Sequence, residues 1–191
     1  SLLASNSTVS VCCSYSTDKG HTTFVRDGGK LYGNNIDVGA NGDAAGTNFT
    51  LVVSNAMAGA KTLLRVGSRG AGHALVLAGT NTAVASKQVK LLNNSVLEFR
   101  LTGDGFVATP LRATGTDAGS FTLENTVVRV TADDAFIESF HGPTLTLAES
   151  ATDIVCGSGV SFEVGKGMTL LTNDPKKIAV KVNRGLIIMF K

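Results

Sequence analysis

Ala74-Leu75-Val76-Leu77-Ala78-Gly79 and, beyond a polar break, Val96-Leu97-Glu98-Phe99-Arg100-Leu101 decide the fold class of this 191-residue chain. Both are short, apolar or alternating, and long enough for one strand. Alternation with period 2 sends one set of side chains into a core and the other toward solvent. Working outward, the same reading applies at 50–53, 63–67, 121–123, 127–130, 145–147, 160–164 and 178–182. The breaks between them are rich in Gly, Asn, Asp, Ser and Thr, residues that favour turns. A chain built this way is all-β.

Helical signals are weak. The Ala-rich stretches 55–60 and 83–86 have Gly and β-branched neighbours, which limits them to a turn at most. Residues 133–140 place apolar side chains at 136, 137 and 140, which makes them the best short-helix candidate, but a strand with a bulge is the preferred reading. The units recur every 10 to 15 residues or so without a rigid spacing. Trp is absent, Tyr occurs twice, and the interior candidates are Leu, Val and Ala. A narrow core of stacked aliphatic side chains suits a β-solenoid, in which each coil covers the apolar face of the next. The alternative is a β-sandwich or jelly roll. Residues 1–47, with the turn dipeptides Asp27-Gly28 and Asn41-Gly42, read as an N-terminal β cap or opening segment. Residues 48–191 read as the solenoid body, continuous with it.

Composition narrows function by exclusion. Charged residues make up 17% of the chain, below the roughly 25% usual in soluble domains. The net charge is +2 with basic residues scattered, so no nucleic-acid partner is expected. No apolar run approaches the roughly 20 residues of a membrane-spanning helix. Cys12 and Cys13 are adjacent and Cys156 is remote, an odd count without zinc-ligand spacing. Neighbouring residues of a strand face opposite ways, so at most one bond is expected, from Cys12 or Cys13 to Cys156 within or between subunits, and the alternative is that the cysteines are buried as small hydrophobes.

No constellation for catalysis emerges. His21, His73 and His141 lie far apart and read as solvated loop residues. Asp133-Asp134 is the only adjacent acidic pair, and strand geometry points its members apart. Gly67-Ser68-Arg69-Gly70-Ala71-Gly72 lacks the Lys and following helix of a phosphate loop. No catalytic residue, cofactor or metal is therefore expected.

The stretches Phe49 to Asn55, Leu64-Arg65-Val66-Gly67 and Gly72 to Thr80 resemble autotransporter-associated β-strand repeats of bacterial surface proteins, and Asn94 to Leu101 is similar to another phrase common there. The resemblance covers roughly residues 48–130, through degenerate motifs. It implies a secreted right-handed β-solenoid used as stalk, passenger or adhesin.

The expected function is thus a non-catalytic extracellular structural or adhesive protein, with surface glycans as candidate partners. The rivals are a polysaccharide-processing β-helix enzyme and a viral or phage fibre module. Self-association into filaments is also expected. Its candidate strands contain Val9 and Val11 at one end and Leu186, Ile187, Ile188, Met189 and Phe190 at the other, because uncapped end strands offer unpaired backbone groups.

Overall fold

A computed structural model describes residues 2–11, 20–39 and 46–183. One sheet holds β1 (Leu2–Val11), β3 (Lys30–Val38), β5 (Met57–Val66), β7 (Ala83–Leu91), β9 (Leu111–Ala113), β10 (Phe121–Leu123), β12 (Leu145–Ser150), β13 (Ile154–Cys156), β15 (Met168–Leu171) and β16 (Lys177–Val182). The second holds β2 (Thr22–Arg26), β4 (Thr50–Ser54), β6 (Ala74–Ala78), β8 (Ser95–Leu101), β11 (Thr126–Ala132) and β14 (Ser161–Val164). The protein is all-β, and all nine strand segments read from the sequence lie in strands to within a residue at each end.

From β1 to β8 every strand lies in the other sheet from its predecessor, and each return pairs parallel to the strand two before it. The circuits differ in length. Ala74 pairs with Val96, 22 residues on, whereas Leu111 pairs with Ala148, 37 residues on. Strands of residues 1–47 share both sheets with those that follow, β2 pairing β4 and β3 pairing β5. Register shifts divide β3 between Gly33 and Asn35 and β5 between Ala60 and Leu63. Such irregularities let a long strand bend. Beyond β7 the halves separate: its first half pairs β9 and its second β10. A hairpin-connected sandwich would show antiparallel neighbours. Among the described residues antiparallel pairing is confined to β12–β16 and β15–β16.

Parallel register stacks like on like. Leu51, Leu75, Leu97 and Val128 form one inward column, and Ile36, Leu64, Val89 and Phe121 another, all buried. Each such side chain contributes roughly 1.5–3 kcal/mol by leaving water. This explains how a core forms with no Trp.

Two sequence expectations are overturned. Residues 133–140 are not a bulged strand but carry α1 (Asp134–Ser139). The Asp133 carboxylate accepts from the Phe136 N–H at 2.7 Å, capping the helix, and Phe136 stacks on Phe140 one turn away with centroids 5.1 Å apart. The small-residue stretches 55–60 and 83–86 are not turns; they carry the first halves of β5 and β7. Parallel neighbours on both sides satisfy their backbones, which outweighs the weak strand preference of Ala and Gly. Among the described residues no helix is long and apolar enough to cross a membrane.

Candidate functional site

Those same small-residue stretches floor a recess of about 450 Å³ on the outside of the first sheet. Cross-strand register sets out its axis: Tyr32 pairs with Gly59, Gly59 with Ala85, Ala85 with Arg112 and Arg112 with Glu149. Three strand spacings separate Tyr32 from Arg112, about 14 Å. Between them Gly59 carries no side chain and leaves room for the Tyr32 ring, and Ala85 rises no higher than a methyl group, so the row sags at Ala85. Tyr32 lies flat on the glycine: a Cβ at Gly59 would sit 2.8 Å from Cδ1 and Cε1 of the ring. The Tyr32 hydroxyl points at the Met57 Sδ, 3.9 Å away, which closes that end with an aromatic and a thioether.

At the other end the Arg112 Nε contacts the Glu149 Oε1 at 2.5 Å. Lys61 lines the flank; it is exposed and has no ion-pair partner among the described residues. The lining contains no carboxylate, histidine or cysteine. Among the described residues no three His, Cys, Asp or Glu side chains gather closely enough to hold a metal ion. The arrangement can hold an apolar body and a negative charge.

A second row starts at the exposed His21 and runs into the protein through the buried Phe49 and His73, where each circuit turns into the second sheet. Gly20, Asn48, Gly72, Asn94, Asn125 and Gly159 all have φ between 45° and 75° and each stands two residues before a paired strand position. Gly and Asn are the residues that tolerate this left-handed backbone. The residues after the first three stack as rings, and those after Asn94 and Asn125 share a hydrogen bond. His21 and Phe49 lie 5.9 Å apart at 10°, Phe49 and His73 5.4 Å apart at 7°, and Ser95 Oγ meets Thr126 Oγ1 at 3.2 Å.

His73 is therefore not the solvated loop residue its surroundings in the sequence suggest; it is fully buried. Its Nε2–H donates to the Arg69 carbonyl at 2.7 Å, and Nδ1 accepts from the Phe49 N–H at 3.3 Å. These partners assign the neutral tautomer with the proton on Nε2. Burial lowers the His73 pKa below its ordinary value, and the Arg69 carbonyl opposes part of that shift.

The other candidate residues do not meet at a site. Val11 is buried and Val9 half-buried in β1, which has a strand on one side only among the described residues. Cys156 is a free, exposed thiol that burial of its sulfur's surroundings pushes up in pKa. Cys12, Cys13 and Leu186 to Phe190 lie outside the described residues. Val11, Val38, Val66, Leu91, Leu123 and Cys156 occupy one ladder, so Val11 and Cys156 stand five strand spacings apart, about 24 Å.

Sequence reasoning missed the recess because its floor residues carry no chemistry of their own. The signal was Gly59 and Ala85, small residues 26 positions apart on the solvent side of paired strands. No family model, curated protein or solved structure matches this chain.

Proposed function

We propose that the chain is a β-solenoid acting as a non-catalytic extracellular structural or adhesive protein, which holds an external ligand in the recess between Tyr32 and Arg112. One observation carries the functional part: the recess is lined by small apolar residues, one aromatic ring and two cations, and one of those cations, Arg112, is engaged by Glu149. A pocket mostly apolar with a few placed polar groups is the usual form of a binding site. The alternation of β1 to β8 between two sheets, and the parallel columns it produces, support the solenoid reading. Low charge content and the resemblance of residues 48–130 to repeats of bacterial surface proteins support an extracellular setting.

The test is turnover against retention. Incubation with pectate, alginate and neutral glucans should release no unsaturated product and no new reducing ends. Product formation that disappears in Glu149→Gln would transfer the chain to the polysaccharide-processing class. Edge pairing with a second copy through β1 belongs to the same reading, and a monomer at high concentration in light scattering removes it.

A further inference from the structure

We infer that the recess takes a monomeric amphipathic carboxylate: an apolar body lying over Ala85 and against the Tyr32 ring, with its single negative charge at Lys61. This rests on the reading of the recess as a ligand site and adds the ligand's class.

Three observations converge on it. The first is shape. The open floor runs from the Tyr32 ring, which lies on Gly59 beside the Met57 thioether, across Ala85 to Arg112, a length of about 10 Å from Gly59. A slender apolar chain fills such a trough and displaces water from Cα and methyl surface, which drives association. The second is charge. Lys61 lacks an ion-pair partner among the described residues, whereas Arg112 is already neutralised by Glu149. One uncompensated positive charge matches a monoanion. It repels an alkylammonium, and it leaves half the charge of a dianion without a partner. The third is the scarcity of hydrogen-bonding groups. Beyond the two cations, the Thr109 hydroxyl and the Tyr32 hydroxyl, already directed at Met57, the lining is apolar. A polyhydroxylated sugar would surrender hydrogen bonds to water that this surface does not replace. That observation favours an acyl carboxylate over a glycan.

Isothermal titration calorimetry with three monomeric probes tests this: decanoate, decyl glucoside and decylammonium, which share a chain and differ in head group. Decanoate should bind best and decylammonium worst. Lys61→Gln should weaken decanoate about fivefold, the effect of losing one exposed ion pair, and leave decyl glucoside unchanged. Ala85→Leu, which fills the trough from an outward position, should abolish binding of all three while its thermal unfolding matches the parent. Equal binding of decanoate and decyl glucoside, both lost in Ala85→Leu, overturns the carboxylate assignment and leaves the recess as a site. Binding of none, or binding indifferent to Ala85→Leu, overturns both. Association only with phosphatidylglycerol vesicles, and not with monomers, also overturns it.

Discussion

Two cross-strand rows follow the same construction rule and end in opposite conditions. The inner row, His21–Phe49–His73 followed by Ser95 and Thr126, is filled: rings stack, and both nitrogens of His73 find partners. The outer row, Tyr32–Gly59–Ala85–Arg112–Glu149, is left empty at its middle. Parallel register places one residue of each circuit beside the next, so a row is filled or hollow according to the sizes of a few residues far apart in sequence. Changes in the filled row should therefore cost stability, and changes in the hollow one should cost binding.

The largest effect is expected at the centre of the inner row. Phe49→Ala removes a fully enclosed ring that supports two imidazoles, and should lower unfolding free energy by about 3–5 kcal/mol in urea titrations. A loss under 1 kcal/mol would dissolve the distinction between the rows. Next comes Gly39→Ala. Gly39 has φ of 76°, and a Cβ there would run into the His73 ring, so roughly 1–3 kcal/mol should be lost.

Acid gives a third handle. The unfolded chain takes up a proton on its histidines near 6.5, whereas the folded His73, with its pKa lowered, resists protonation to lower pH. Its contribution is complete above pH 6.5 and is lost as pH falls through the folded value. The denaturation midpoint should drop between pH 7.5 and 5 in the parent and drop less in His73→Asn; identical slopes would show that this histidine is silent. In the outer row, by contrast, Ala85→Leu should shift stability by no more than about 0.5 kcal/mol. Arg112→Gln breaks a pair whose arginine is 60% exposed, and should cost about 0–1 kcal/mol by thermal melting, less at high salt.

How much of this the sequence disclosed follows from which residues each feature depends on. Leu, Val and Phe at period 2 announce strands by themselves, and so the nine apolar segments were legible. Ala58-Gly59-Ala60 and Ala83-Val84-Ala85 form strands only because neighbours on both sides demand it, a condition no local reading contains. The helix at Asp134–Ser139 was hidden by its brevity, though Asp133 as a cap and the Phe136–Phe140 pair were both in view. The recurring Gly or Asn before each strand of the second sheet was also visible, yet its unequal intervals disguised it as ordinary turn composition.

Those unequal circuits have a consequence for how the chain can change length. Register is held by columns of side chains and left-handed corners, and the distance travelled between corners is free to vary, as 22 against 37 residues already shows. Insertions between β8 and β9 or around α1 therefore extend outward without displacing a single paired residue, whereas a one-residue deletion inside β4, β6 or β8 would turn every following side chain of that strand inside out. The fold is in this respect a ruler with fixed marks and elastic gaps. Segments grafted at the gaps should be carried along its flank, at spacings set by the strand separation and not by the sequence that links them.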